Sequence, residues 1–286
     1  MRNLAPPRAV EARHTATAGT TPTIGVFDSG VGGLSVLREL RPMLSGERLV
    51  YIGDSAHVPY GSKSPAFIQG RALQLSRTLI DQHGASVVLV ACNTATTHAV
   101  ELVRATFPAV PIVGMEPGIK PAAAATRTGI VGVLATTSTL AGGRFADLLE
   151  RTAHGVEVLT QACAGLVEQV EAGDVSGPDT LAMLRRCLEP MLMRGADTVV
   201  LGCTHFPFLR TAVQEIAGPS VTVVDTASAV ARQTLRVLGT SRPEGRSTSG
   251  PGTVTFLTSG DPIDLWPVFE RLWGERVPTV HRIGAE

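Results

Sequence analysis

The stretch Gly84-Ala85-Ser86-Val87-Val88-Leu89-Val90-Ala91-Cys92 aligns without a gap on Gly195-Ala196-Asp197-Thr198-Val199-Val200-Leu201-Gly202-Cys203, and the two cysteines lie 111 positions apart. Each reads as a glycine turn, a buried strand and a cysteine at the strand end, because the apolar run is strand-length and bounded by turn signals. A second pair, Ile24-Gly25-Val26-Phe27-Asp28-Ser29 and Val131-Gly132-Val133-Leu134-Ala135-Thr136, aligns at an offset of 107. Two pairs with nearly one offset indicate two similar halves rather than a short solenoid repeat. If the halves face each other about a pseudo-two-fold axis, each delivers one cysteine to a shared cleft.

The same grammar extends along the chain. Thr23 to Phe27 is an apolar run that breaks into Asp28-Ser29-Gly30-Val31-Gly32-Gly33 and then a helical pattern at Leu34, Leu37 and Leu40. Further strands are expected at Leu49 to Ile52, Val110 to Val113, Val156 to Leu159, Val221 to Val224 and Thr253 to Leu257. Apolar strands alternating with helices predict an α/β protein with two similar parallel-sheet domains and the active site in the cleft between them. The expected division is a loose tail over 1–22, a first domain over 23–116 plus 225–286, and a second over 117–224. An exposed loop is expected over 240–252, TSRPEGRSTSGPG, which is polar and without periodicity.

Composition narrows the function. The 286 residues carry 25 Lys plus Arg against 25 Asp plus Glu, so no overall positive field is available to hold a nucleic-acid backbone. The longest apolar run, Val87 to Cys92, is far too short to cross a bilayer. Arg2, Arg8 and Arg13 stand in a leading segment with no apolar core, so no secretory signal is read and the expected compartment is the cytoplasm. There Cys92, Cys163, Cys187 and Cys203 are expected to be free thiols. No C-x-x-C pair occurs, and Lys63 and Lys120, the two lysines, lack a cofactor pocket in the sequence. Gly30-Val31-Gly32-Gly33 resembles a dinucleotide loop, but Ser35 occupies its third glycine position. Neither a metal nor a cofactor is expected.

The repeated cysteines stand where ligands bind in open α/β sheets, at the carboxyl ends of strands, beside residues suited to start a helix. A helix N-terminus lowers a thiol pKa and makes the sulfur a usable base. One such cysteine alone reads as a small buried hydrophobe; a matched pair does not. Cys187 follows the apolar helix spacing of Leu181, Leu184 and Leu188 and belongs to the core. Asp28-Ser29 occupies the equivalent place after the first strand, and Pro59-Tyr60-Gly61 reads as a rigid loop tip. His205 lies two residues beyond Cys203, and Glu171 ends the helical run Leu166, Val167, Val170. Two thiols on opposite sides of a small molecule suit removal of a proton from one face of a carbon and its return on the other, which is racemisation or epimerisation.

Five motifs in order carry a resemblance: GVFDSGVGGLSVL at 25–37, IGDSAHVPYGSK at 52–63, ACNTAT at 91–96, MEPGIKPA at 115–122 and GCTHFPFL at 202–209. Over about Thr23 to Gly274 the chain resembles the glutamate racemases of the aspartate/glutamate racemase superfamily, cofactor-independent isomerases that make D-glutamate for bacterial peptidoglycan. The resemblance implies that Cys92 and Cys203 are the acid/base thiols, with Asp28 assisting Cys92, and His205 and Glu171 assisting Cys203. It implies substrate contacts from Asp28, Ser29, Pro59, Tyr60, Gly61, Asn93, Thr94, Thr136, Thr139, Thr204 and His205. L- and D-glutamate are the implied ligands, a homodimer is left open, and no membrane partner is implied.

Other readings remain. Aspartate racemases share the two-thiol plan, but an acidic residue commonly follows their second Cys-Thr, where this chain has His205. A racemase scaffold acting as a binding protein, for DNA gyrase for example, would not need both thiols and their helpers. A single-cysteine hydrolase leaves the repeat unexplained.

Overall fold

The computed structural model describes residues 21–44, 46–240, 252–277 and 279–284. The expected tail, apart from its last two residues, and the interior of the expected 240–252 loop lie outside them. Two parallel sheets form the frame. The six-stranded sheet contains β1 (Thr23–Asp28), β2 (Arg48–Gly53), β3 (Ala85–Val90), β4 (Ile112–Val113), β9 (Val254–Thr258) and β10 (Val280–Arg282), in the order β10-β9-β2-β1-β3-β4. The four-stranded sheet contains β5 (Ile130–Ala135), β6 (Glu157–Ala162), β7 (Thr198–Leu201) and β8 (Thr222–Val224), in the order β6-β5-β7-β8. Adding four to each strand number turns 2-1-3-4 into 6-5-7-8, so the repeat seen in two sequence pairs extends to the strand order of both sheets.

The helices fall between the strands: α1 (Leu34–Leu40), α2 (Pro65–Arg77), α3 (Asn93–Thr106), α4 (Ile119–Ala125), α5 (Thr137–Leu140), α6 (Gly143–Thr152), α7 (Leu166–Glu171), α8 (Pro178–Met193), α9 (Arg210–Ala217), α10 (Ala227–Thr240) and α11 (Pro262–Trp273). Helices on both faces make the central strands continuous apolar runs; every residue of β1 is buried. The repeated glycines have a backbone reason, since Gly84 and Gly195 both take positive φ, 64° and 89°, on entry to β3 and β7. Starts are signalled locally: Ser64 accepts from the Phe67 N–H before Pro65 at the head of α2, and Asp261 does the same for Ile263 before Pro262. Cys187 is buried on α8, as its spacing predicts.

Two strand expectations shift by more than one residue. The strand expected at Val156 to Leu159 runs from Glu157 to Ala162, and the one at Val110 to Val113 is reduced to Ile112–Val113. β10, three residues long, carries too little pattern to be read in advance. Among the described residues no helix is long and apolar enough to cross a membrane.

Candidate active site

In each sheet the connections diverge between two neighbouring strands, β1 and β3 in one, β5 and β7 in the other, which opens a crevice at their carboxyl ends. Asp28, Ser29 and Cys92 follow the first pair; Thr136 and Cys203 follow the second. A pocket of about 250 Å³, counting its open mouth, lies between them. Ser29, Tyr60, Cys92, Asn93, Thr94, Thr136, Cys203, Thr204 and His205 line it, with Pro59, Gly61 and Val167. Both sheets therefore contribute a thiol to one wall-to-wall space.

Cys92 caps the N-terminus of α3, with its Sγ accepting from the Ala95 N–H at 3.5 Å and its thiol donating to Ser29 Oγ at 3.8 Å. The expected lowering of its pKa does not occur. Burial pushes the thiol well above its ordinary value, the negative charge of Asp28 adds to this, and the Ala95 N–H offsets only part. Cys203 departs differently from expectation. After it the chain makes a turn and a 3₁₀ segment, Phe206–Leu209, with Pro207 in its first turn, and α9 starts only at Arg210. The partner of Cys203 is a side chain instead: His205 Nδ1 lies 3.7 Å from its Sγ.

His205 Nε2 lies 2.5 Å from Glu171 Oε1, so one imidazole bridges a thiol and a carboxylate. Burial disfavours the charged ring, but hydrogen bonds to Cys203 and Glu171 outweigh it and hold the His205 pKa well above the usual histidine value. Glu171 also accepts the Val31 N–H at 2.8 Å, which fixes it against the glycine turn of the other half. That turn is shaped for the approach. A Cβ on Gly30 would stand 1.8 Å from Glu171 Oε1, and one on Gly32 would stand 2.4 Å from His205 Nδ1.

Asp28 is fully buried behind the lining. Its Oδ2 accepts the Gly33 N–H at 2.9 Å and the Gly30 N–H at 3.4 Å, and its Oδ1 accepts from Thr204 Oγ1 at 3.4 Å. Burial raises its carboxyl pKa and Glu171 adds to that, while His205 pulls the other way. Thr94, Thr136 and Thr139 form a triangle of hydroxyls, 2.9 to 3.1 Å apart, that joins α3 to the start of α5. Asp28, Thr139 and Glu171 are thus one layer behind the pocket wall, and the other residues expected from sequence line it. Asn93 is the exception among its polar groups: both Nδ2 and Oδ1 are buried and neither has a hydrogen-bond partner among the described residues.

A family model described as Asp/Glu/Hydantoin racemase matches residues 24–234. The chain belongs to that family. Its relatives include the glutamate racemase of Stutzerimonas stutzeri, 50% identical over 252 residues, which are 88% of this chain and 94% of that protein. The glutamate racemase of Pseudomonas aeruginosa is 51% identical over 251 residues, 88% and 94% of the two chains. Among solved structures, Escherichia coli glutamate racemase in complex with L-glutamate and the activator UDP-MurNAc-ala superposes with a TM-score of 0.81 at 35% identity, covering 92% of this chain and 98% of that one. The protein is a racemase, an isomerase built on two parallel-sheet α/β units.

Several residues that serve this racemase site have no site role in the sequence reading. Val167 lines the pocket, one helical turn before Glu171, and that spacing of four was the available signal. Ser35 Oγ donates to Gly32 O and Thr204 O, at 2.8 and 2.9 Å, and ties the two halves beneath the pocket. Tyr51 donates to Gly30 O at 2.6 Å and supports the glycine turn from below. These roles depend on residues 21 to 169 positions away, beyond the reach of any local pattern.

Proposed function

We propose that this racemase interconverts L- and D-glutamate by carrying a proton across Cα between Cys203 and Cys92, and so supplies D-glutamate for peptidoglycan in the cytoplasm. The observation that carries the reading is the pair of buried thiols at equivalent strand ends of the two sheets, in one pocket. The names of the relatives support glutamate as the substrate. Residues 23–116 with 225–286, and 117–224, are the two domains we assign on either side of the cleft.

In the L to D direction the Cys203 thiolate, stabilised by the His205 imidazolium, takes the α-proton. The C–H electron pair stays on Cα and spreads into the α-carboxylate. Cys92, whose thiol burial keeps protonated, gives its proton to the opposite face. The reverse reaction exchanges the roles. Ser29, Asn93, Thr94 and Thr204 hold the carboxylate on which charge develops, and each such fixed donor contributes roughly 2.7–4 kcal/mol to the barrier when removed. Asp28 acts on Cys92, and Glu171 acts on Cys203 through His205. Circular dichroism of L- and D-glutamate and of both aspartates tests the substrate; turnover of aspartate in preference to glutamate overturns it.

Asn93 yields a prediction of its own. A zwitterion supplies an acceptor for Nδ2 and a donor for Oδ1, and unpaired buried groups cost about 1–3 kcal/mol each. Asn93→Ala is expected to lower kcat/KM by about 100-fold without lowering the melting temperature of the free protein. A large drop in melting temperature would make Asn93 a structural residue.

The pH profile follows from the shifted groups. One thiol must be ionised and the other protonated, so kcat/KM is bell-shaped in pH. The enantiomers have equal free energies, so kcat/KM is the same in both directions for every variant; differences appear in kcat. Because the Cys92 thiol is pushed upward, its ionisation places the alkaline limb above the range of an ordinary thiol. His205→Asn removes the side chain that lies 3.7 Å from Cys203 Sγ and is expected to lower kcat unequally in the two directions. Asp28→Asn should likewise change kcat unequally in the two directions, because it acts on the other thiol. Equal losses of kcat in both directions for both variants would show that neither residue serves one thiol in particular.

A further inference from the structure

Asp54 is a fully buried carboxylate that the two-thiol chemistry does not use. It follows β2, and its N–H donates to Asp28 O at 3.0 Å. Four side-chain bonds converge on its two oxygens. Arg71 of α2 donates from Nε to Oδ2 at 2.8 Å and from Nη2 to Oδ1 at 2.7 Å, in the paired geometry that guanidinium and carboxylate favour. The Tyr60 hydroxyl donates to Oδ2 at 2.5 Å, and His57 Nδ1 lies 3.0 Å from Oδ1. Burial would raise the Asp54 carboxyl, but the bonds from Arg71 and Tyr60 hold it below the usual carboxylate value.

The consequence concerns Tyr60. Tyr60 lines the pocket, yet its hydroxyl is committed to Asp54, which is not part of the lining. Its neighbour Gly61 abuts the other half, where a Cβ would stand 3.0 Å from Thr136 Cβ. A small outward movement of the segment from Pro59 to Gly61 would therefore widen the pocket on the side facing Thr136. We propose that Asp54, clasped by Arg71, is a positioning residue: through the Tyr60 hydroxyl it holds the Pro59–Gly61 wall against Thr136 and sets the affinity for the amino-acid substrate without touching it. The proposal rests on the reading of this pocket as the glutamate site.

Steady-state kinetics on both glutamate enantiomers test it, with wild type, Tyr60→Phe, Asp54→Asn, the double variant, Arg71→Gln and Arg71→Lys. Tyr60→Phe and Asp54→Asn are each expected to raise KM by about 10-fold, with kcat changed by less than about 3-fold. Residues acting as one unit are not additive, so the double variant should match Asp54→Asn alone rather than multiply the two effects. Arg71→Lys keeps the charge and should recover part of the KM lost in Arg71→Gln. Unchanged KM in Tyr60→Phe and Arg71→Gln, or multiplied effects in the double variant, overturns the proposal even where Asp54→Asn does not fold. A wild-type protein inactive on both enantiomers removes the substrate reading and this inference with it; an active wild type with indifferent variants removes the inference alone.

Discussion

Cys92→Ala and Cys203→Ala each abolish racemisation, with losses of at least about 10³-fold, while the protein stays folded. Positioned acid/base groups contribute typically about 10²–10⁴-fold, and the pocket lining holds one cysteine from each sheet. Each replacement removes one buried sulfur at a strand end, a change of about 1 kcal/mol in stability by transfer, so melting and far-ultraviolet dichroism should change little. The stereochemical signature is sharper than the rate. In heavy water, L-glutamate loses its α-proton to Cys203 and receives deuterium from Cys92, so label enters the D product before it enters the remaining L substrate. Equal early label in both enantiomers would mean one base serving both faces, and residual activity within tenfold of wild type in either variant would mean the same.

Gly32→Ala is expected to lower kcat by about 100-fold or more, although Gly32 is not among the residues that line the pocket. The residue is not among the positive-φ glycines, so its backbone accepts an alanine. The obstruction lies across the cleft: the added Cβ would meet His205 Nδ1 at 2.4 Å, His205 Cε1 at 2.6 Å and Thr204 Oγ1 at 2.7 Å. His205 has little room to yield, because Glu171 holds Nε2 from the far side and Glu171 is itself anchored by the Val31 N–H. Either the imidazole leaves Cys203 or the halves part, and a displacement of about 1 Å at a reacting group can cost about 10²-fold in rate. Overpacking should also lower stability by about 1–3 kcal/mol. Gly70→Ala is the matched control: it lies in α2 with nothing within 4 Å of the added carbon, so kinetics should be unchanged and stability should rise by about 0.5–1 kcal/mol. A Gly32→Ala enzyme with wild-type kcat would show that the close approach is not needed.

Much of this was legible along the chain. The gapless match of 84–92 on 195–203 already placed two cysteines at strand ends of two similar halves, and the shared order of strands β2-β1-β3-β4 and β6-β5-β7-β8 follows the same duplication. The central strands were readable because burial on both faces demands unbroken apolar runs. β6 was misplaced because its partly exposed residues carry no such run, and β10 was too short to register. The helix start expected after Cys203 gives way to a 3₁₀ turn at Phe206–Leu209, with Pro207 in its first turn.

By itself the sequence determined which residue types stand at the carboxyl ends of the strands: Asp28 and Ser29, Cys92 with Asn93 and Thr94, Thr136, and Cys203 with Thr204 and His205. Strand periodicity and turn chemistry are local, so those positions follow from neighbours a few residues away. Only the tertiary structure decided what each group experiences. Glu171 meets Val31 across 140 positions and His205 across 34, which makes the histidine a cation beside Cys203. Cys92, at a helix N-terminus that should favour its thiolate, is instead held protonated because the fold buries it beside Asp28. Desolvation and charge act through space with magnitudes that outweigh one backbone N–H, and space is what a local reading of the chain does not contain.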